Sequence, residues 1–324
     1  MIHTPIKFEP QLKTVLWGGD KIIPFKNLDS GLQQVGESWE ISAVPGRESV
    51  VSEGPDSGLT LPQLIGRYGE DLVGHDCYKR FGTRFPLLVK FIDAKQDLSL
   101  QVHPGDRLAA ERHNSAGKTE MWYVVNAEPD ACVRTGLNRV IDAQDFERLV
   151  QEKQLLDVVA THAAHEGDVF YLPAGRIHSI GAGTMLVEVQ QTSDITYRIY
   201  DYDRRGADGN PRKLHIAMAK DAIDYRVHDS YVTHTDAMAP GLTSLVACEH
   251  FVVNRFCVDE RHRDLDLRQV DSFVVLVAIK GHLEVTNHQG STFHLRRGET
   301  VLLPAITSQL HFSGHGTLIM AHLP

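Results

Sequence analysis

Apolar residues along the chain cluster in short runs separated by Gly, Pro and Asp, the punctuation of strands and turns. The runs LLVKFID (87–93), LSLQVH (98–103), MWYVVN (121–126), DVFYLP (168–173), MLVEVQ (185–190), FVVLVAI (273–279), HLEVTN (282–287) and TVLLPA (300–305) each read as a strand. Strands at this spacing, without a helix after each, predict a mainly β sandwich or barrel. Helical signals are few. Thr60 can cap LPQLIGRYGEDL, with Pro62 in the first turn, and Asp106 can cap RLAAERHN. Asp142 can cap AQDFERLVQEKQLLDVVA, where Phe146, Leu149, Val150 and Leu156 fall near helical spacing, and KLHIAMAKDAID (213–224) fits a further piece. These predict a small helical insertion beside the β-rich part. The mixed, polar stretch VHDSYVTHTDAMAPGLTS (227–244) predicts a domain boundary, which we set between residues 235 and 236.

One phrase occurs twice. GDVFYLPAGRIH (167–178) and GETVLLPA (298–305) both run Gly-acid, apolar strand, Pro-Ala. A Gly-acid turn lets the chain re-enter a sheet, and the Pro ends the strand. The repeat predicts two barrels of related build. Only the first copy is followed by a histidine; counted from the Pro, the place of His178 is taken in the second copy by Gln309.

Composition narrows the class. The chain has 324 residues, of which 42% are apolar, enough for two globular domains at roughly 150 residues each. A formal net charge of −9 argues against bulk attraction to nucleic acid or an anionic membrane. The longest apolar run, FVVLVAI, is far below the roughly 20 residues of a spanning helix. MIHTPIKFEP lacks the pattern of a signal peptide, and the four cysteines form no C-x-x-C pair, so the expected location is the cytoplasm. There is no G-x-S-x-G elbow and no Walker loop.

The chemistry concentrates near the first copy. On a strand, residues i and i+2 share a face, so Gln101 and His103 in LSLQVHPGD can reach one ion while Val102 packs behind. Glu120, at the start of the next clear strand, offers a carboxylate, and His178 a second imidazole. Two imidazoles and a carboxylate suit zinc, iron or manganese, and Gln adds a neutral oxygen. One carboxylate leaves a bound dication electropositive, which suits stabilising an oxyanion.

Gly167-(x)5-Pro173-x-Gly175-(x)2-His178 resembles the second motif of the cupin family. The resemblance implies two cupin-like β-barrels of jelly-roll type: residues 1–235 carrying the metal and the helical insertion, and residues 236–324 as a degenerate barrel. Beyond that, GESWEIS, FPLLVKFIDAKQDLSLQVHP, GKTEMW, LPAGRIHSI and QQTSDITYRIYDYDR, in this order, resemble type I mannose-6-phosphate isomerases, most of all their short bacterial branch. The resemblance covers roughly residues 1–215 and is weaker in the last third. It implies one Zn²⁺ held by Gln101, His103, Glu120 and His178. It further implies Arg198 and Lys118 at the reacting carbons, Lys90 and Ser99 at the substrate phosphate, and a sugar phosphate as substrate, with no nucleic acid or membrane partner. The oligomeric state is left open. The sequence departs from longer members in having Ile180 where they have a Tyr; Tyr197 or Tyr202 is a candidate substitute. The implied reaction is aldose–ketose isomerisation through a cis-enediol, its proton carrier open among a metal-bound water, Lys118, Asp201 and Glu188. The alternatives are another cupin metalloenzyme, such as a non-haem iron dioxygenase, and a non-catalytic sugar-phosphate-binding cupin.

Overall fold

The computed structural model of the chain describes residues 4–206 and 209–324. The first part carries strands β1 (Gln11–Gly19), β2 (Val35–Ile41), β3 (Leu87–Ala94), β4 (Leu100–Val102), β5 (Glu120–Ala127), β6 (Cys132–Leu137), β7 (Val159–Ala163), β8 (Val169–Leu172), β9 (His178–Ile180), β10 (Thr184–Gln191) and β11 (Tyr197–Tyr200). They form a six-stranded sheet ordered β1-β2-β3-β10-β5-β8 and a five-stranded sheet ordered β11-β4-β9-β6-β7. The sheets face one another: Ile92, Trp122, Val124 and Leu186 from the first meet Val133 and Ile180 from the second in one buried cluster. This is the jelly-roll arrangement expected of the first half.

The six-stranded sheet is buried on both faces, which explains why its central strands read as unbroken apolar runs. While Lys90 and Ile92 point between the sheets, Leu87, Val89 and Phe91 point the other way. There they join Met121, Tyr123, Val187 and Val189 in the largest core. That core also takes Leu61, Leu64 and Ile65 from the helix Leu61–Tyr68, and Val253, Phe273, Val275 and Ile319 from the C-terminal part. The outer face of the five-stranded sheet is covered by helices: Leu100, Val102, Tyr197 and Ile199 pack with Phe146, Leu149 and Ala219.

The C-terminal part is a single seven-stranded assembly of β12 (Gly241–Ala247), β13 (Val252–Val258), β14 (Asp264–Asp266), β15 (Val274–Asn287), β16 (Thr292–Arg296), β17 (Thr300–Leu303) and β18 (Gln309–His322). FVVLVAI and HLEVTN, expected as two strands, are one 14-residue strand, β15. The register shifts between Ala278 and Lys280, and Gly281 follows at φ +80°. The bulge reverses the alternation. Val274, Leu276 and Ala278 before it and Leu283 and Val285 after it therefore all enter the same core. A Cβ at Gly281 would lie 2.0 Å from the His315 carbonyl oxygen, so both conformation and space require glycine there.

The repeated phrase folds the same way twice. Gly167 N–H donates to Val124 O (3.0 Å) while Val124 N–H donates to Asp168 O (3.0 Å). Gly298 N–H donates to Ala278 O (2.8 Å) while Ala278 N–H donates to Glu299 O (2.9 Å). Both glycines have positive φ, +94° and +85°. After each strand the Pro carbonyl accepts from the residue three on: Arg176 N for Pro173 (3.1 Å) and Thr307 N for Pro304 (2.9 Å).

The helices follow their caps more closely than their expected lengths. Thr60 and Gln63 form a capping box, but the helix stops at Tyr68, where Gly69 turns to φ +54°. The Asp142 carboxylate accepts from Gln144 N and Asp145 N, and that helix ends at Gln151 rather than running to Ala160. Of residues 213–224 only Ile216–Lys220 is helical. At Asp106–His113 the N-cap is Gly105, and Asp106 has another use described below. Within the described residues no helix is long and apolar enough to cross a membrane.

One buried ion pair fastens the two parts. Lys26 Nζ contacts both Glu40 oxygens at 2.8 Å and donates to the Gly298 carbonyl, at the second copy of the repeat, at 2.5 Å. Both side chains are 4% exposed. Removing one charge strands the other in a low-dielectric interior. We therefore expect Glu40→Gln to lower unfolding free energy by about 3–5 kcal/mol. The double variant Lys26→Met/Glu40→Leu should recover part of that loss, as read from urea-unfolding midpoints.

Candidate metal centre and active site

Register across the five-stranded sheet sets four side chains in one row: Arg198 pairs Gln101, Gln101 pairs His178, and His178 pairs Thr135. Direct cross-strand partners share a face, and this face looks toward the six-stranded sheet. Glu120 arrives from that opposite sheet, at the start of β5. The glycine of the P-x-G-x-x-H phrase has a physical task. Gly175, at φ +91°, donates its N–H to His103 O (2.9 Å), tying the two histidine-bearing segments together. A Cβ there would meet the Ala222 carbonyl oxygen at 2.8 Å.

The loop before Glu120 is braced on several sides. Asp106, expected as a cap, instead accepts from Gly117 N (2.7 Å) and Gln191 Nε2 (3.0 Å). Gln191 Oε1 accepts from Thr119 N at 2.8 Å, and Thr119 Oγ1 accepts from Ala174 N at 3.2 Å. Lys118 and Glu120 flank Thr119, so this bracing fixes both.

The centre itself has more lone pairs than protons. His103 Nδ1 donates to the Ile195 carbonyl and His178 Nδ1 to the Arg176 carbonyl, each at 2.9 Å. Those bonds leave both Nε2 atoms as bare acceptors, and they lie 3.1 Å apart. Glu120 Oε1 is 3.1 Å from His178 Nε2, and Oε2 is 3.5 Å from His103 Nε2. All three residues are buried, and Glu120 Oε1 receives no hydrogen bond. Three converging acceptors require a cation. Lys118 supplies one charge, its Nζ 2.9 Å from His103 Nε2 and in contact with Glu120 Oε2. Burial, then the Lys118 charge, push His103 down to about 3, so its imidazole is neutral, the state that ligates metal. Burial would raise the Glu120 carboxyl, but the Lys118 ammonium and the two neighbouring imidazoles together outweigh it and hold the group well below the usual carboxylate range. The set His103, Glu120, His178 therefore fits a divalent ion, with the half-buried Gln101 beside it on the same face.

The remaining expected residues surround this centre. Arg198 Nε donates to Ser99 Oγ at 3.3 Å, so these two are brought together. Lys90 is buried between the sheets with Nζ 2.7 Å from Glu188 Oε1. Burial would lower the Lys90 ammonium; Glu188 and then Glu37 outweigh this and raise it. Trp122 donates to Glu188 Oε2 at 2.7 Å and meets the His178 ring edge-on at 5.2 Å. Trp39 and Lys13 extend the group: Trp39 Nε1 donates to Glu37 Oε2 (2.5 Å), and Lys13 Nζ sits 3.2 Å from the Trp39 ring centre. Glu37, Trp39 and Trp122 lie within the GESWEIS and GKTEMW phrases, which do not single them out, and Lys13 carries no signal of its own; alternation along β2 would have put Glu37 and Trp39 on one face.

Other candidates point elsewhere. Ile180 packs in the cluster between the sheets. Tyr197 lies on the opposite face of β11 from Arg198, its hydroxyl 2.7 Å from His113 Nε2. The Tyr202 ring packs against Tyr200 and Arg204. The carboxylate of Asp201 is shared by Arg204 and Arg212.

In the C-terminal part the same places are chemically blank. Counting from the two prolines, Leu303 opposite Val274 answers to Leu172 opposite Glu120, and Gln309 opposite Asp266 answers to His178 opposite Gln101. Val274 is buried and apolar, Gln309 is exposed, and Asp266 pairs in solvent with Arg268, which stands at the place of His103.

Comparison with known proteins agrees with this geometry. Residues 6–133 match the family model described as phosphomannose isomerase type I, catalytic domain, and residues 242–323 match mannose-6-phosphate isomerase, cupin domain. The similarity therefore extends into the last third, where the motifs alone are weak. The chain is 32% identical over 326 residues to mannose-6-phosphate isomerase ManA of Bacillus subtilis, covering 100% of both. It is 32% identical over 328 residues to mannose-6-phosphate isomerase of Streptococcus mutans, covering 98% of both. The crystal structure of mannose 6-phosphate isomerase from Bacillus subtilis superposes with a TM-score of 0.88 at 31% identity, over 99% of this chain and 100% of that one. A phosphomannose isomerase variant from Salmonella typhimurium, at 15% identity and a TM-score of 0.81 over 98% of this chain and 99% of that one, shares the fold.

If the three acceptors hold an ion, losing one must weaken it severely. Outer partners of metal ligands are already worth about 10–100-fold in affinity. His178→Ala should therefore lose at least about tenfold in affinity for the ion, measured as metal per chain after dialysis; unchanged metal content would remove His178 from the centre.

Proposed function

The chain belongs to the type I phosphomannose isomerase family, and from that premise we propose how its residues interconvert mannose 6-phosphate and fructose 6-phosphate. The observation that carries the reading is the convergence of two unprotonated Nε2 atoms and the Glu120 carboxylate beside Arg198 and Lys118. We assign the ion to zinc, held by His103, Glu120, His178 and Gln101; two imidazoles, a carboxylate and an amide oxygen suit it. When bound, such an ion supplies Lewis-acid polarisation of a sugar oxygen.

The hard step is taking the C2 proton of the aldose. Its electron pair forms the C1=C2 bond of a cis-enediol while charge gathers on O1; a proton then passes from the C2 hydroxyl to O1, and returning the abstracted proton to C1 leaves the carbonyl at C2. The guanidinium of Arg198 is assigned to the developing oxyanion, and its row position beside Gln101 and His178 supports this. Among the side chains considered for the proton, Asp201 is occupied by two arginines and Glu188 by Lys90 and Trp122. Lys118 Nζ, already inside the centre, is assigned to carry it, which it would do as a neutral amine, a bound ion taking over its charge beside Glu120. Ser99 and Lys90 remain the proposed phosphate contacts, an assignment that rests on the family resemblance. Ser99 Oγ also touches Arg198, and Lys90 shares its charge with Glu188.

We further propose that residues 1–235 form the catalytic unit and residues 236–324 the supporting one. Thr233 still pairs with Val169, whereas β12 begins at Gly241. The cytoplasm is the proposed location, supported by four free cysteines.

Two results test the proposal. Chelator-treated protein should lose fructose 6-phosphate formation in a coupled assay and regain it with Zn²⁺; full turnover without metal would sink the reading, and metal-dependent oxygen uptake in its place would favour an iron dioxygenase. Arg198→Lys keeps charge but not the planar fork. It should lower kcat by about 10²–10³-fold, the usual loss for one oxyanion donor, with metal content retained. Unchanged kcat would take Arg198 out of the chemistry.

A further inference from the structure

Away from the centre, one other trio of metal-ligating side chains converges among the described residues: His165, Asp168 and His234, whose ligand atoms all lie within 4.8 Å of one another. His234 Nδ1 is 2.6 Å from Asp168 Oδ1, and His165 Nδ1 is 3.3 Å from Asp168 Oδ2, which also accepts from His165 N at 2.8 Å. The carboxylate is almost wholly buried, 4% exposed, while the two imidazoles stand 68% and 67% exposed. Among the described residues no Lys or Arg pairs with Asp168; the nearby lysine, Lys280, is taken by Glu166. Among the described residues the side-chain partners of this buried carboxylate are two imidazoles, and no fixed cation balances its charge.

The place in the fold gives the cluster a task. Asp168 belongs to the Gly-acid turn that opens β8. His234 lies on the connection leading from the first part of the chain to β12. On either side of it, Val169 and Thr233 exchange backbone hydrogen bonds (2.9 and 2.8 Å), and Thr235 Oγ1 donates to Gly167 O at 2.6 Å. The backbone thus holds His234 over Asp168 before any ion arrives. The second copy of the repeat lacks the trio. Glu299 stands at the place of Asp168 and Arg296 at the place of His165, and Glu299 is spent on Arg296 N and Lys7.

We propose that His165, Asp168 and His234 form a second, solvent-open site for a borderline divalent cation such as Zn²⁺, Co²⁺ or Ni²⁺, which clamps the connection between the two parts of the chain to the turn before β8. Imidazole and carboxylate donors suit these ions, whereas Mg²⁺ and Ca²⁺ want an all-oxygen shell. The ion would take the Nδ1 lone pair of His234 in place of that atom's hydrogen bond to Asp168, the ring's proton sitting on the exposed Nε2. Water completes the coordination, so the site is weaker than the buried centre.

Equilibrium dialysis of metal-stripped protein against Zn²⁺ tests this. Wild type should take up a second, weaker equivalent. His234→Ala and His165→Gln should each lose the weaker equivalent alone and keep wild-type kcat, while His178→Ala should lose the tighter one alone. Excess Zn²⁺ should raise the Tm of wild type but not of His234→Ala, and Mg²⁺ should raise neither. Saturation of wild type at a single ion, or retention of the weaker equivalent in both histidine variants, would overturn the proposal and leave the trio as a hydrogen-bonded turn. Because dialysis counts ions without reference to turnover, the result stands whatever sugar the enzyme converts.

Discussion

Two imidazole nitrogens with their lone pairs aimed at each other, 3.1 Å apart and out of water, are not a stable arrangement by themselves. Each ring is turned that way by a backbone carbonyl that takes its other proton. Adding the Glu120 carboxylate makes the cavity more demanding still, since a buried acceptor without a donor costs about 1–3 kcal/mol. Positive charge is the remedy, and the Lys118 ammonium supplies part of it, against both His103 Nε2 and Glu120 Oε2. The jelly roll can be read as the apparatus that imposes this frustration. One sheet brings Gln101, His103 and His178, the facing sheet brings Glu120, and neither can relax because each is packed on its outer face as well.

The same constraint governs the other charges between the sheets. Lys90 and Glu188 face each other across β3 and β10, Trp122 caps the second oxygen of Glu188, and Glu37 and Trp39 continue the pattern on β2. A chain of paired charges keeps the cavity polar without leaving any member isolated. It also limits what these residues can do. A carboxylate already shared between an ammonium and an indole is a poor proton acceptor.

How far the sequence could be read depended on whether a feature was local. Long apolar strands, the Asp142 cap and the Thr60 capping box lie within a few residues and were legible. So was the approach of His103 and His178 to one another, because Q-x-H and P-x-G-x-x-H encode faces and turns at fixed spacing. What depended on pairing between distant strands was not. The mutual neutralisation of Lys90 and Glu188 is a matter of register. Asp106 looks like a cap in isolation, yet its carboxylate braces Gly117 and Gln191. β15 was split in two because a bulge at Ala278–Lys280 breaks alternation in the way a turn would. β18 carries glycines and histidines through its middle, and its apolar run LIMA (318–321) stands only at the far end, so alternation alone does not reveal one 14-residue strand.

The repeat explains why loss of chemistry in the second part did not cost it its fold. The bonds that set its strand ends are backbone ones: the Gly N–H, the acid carbonyl, and the Pro carbonyl three residues before the next amide, with the Glu299 carboxylate closing the turn onto Arg296 N. None involves the side chains that make the centre, so Val274 can replace a carboxylate and Gln309 an imidazole while the strands keep their places. An apolar residue in a place that elsewhere holds a charge strengthens the core rather than weakening it, because no desolvation has to be offset. Freed from holding an ion, that sheet places Val253, Val275 and Ile319 against the outer face of the six-stranded sheet. There they share a core with Met121, Tyr123 and Val125 of β5, the strand that begins at Glu120.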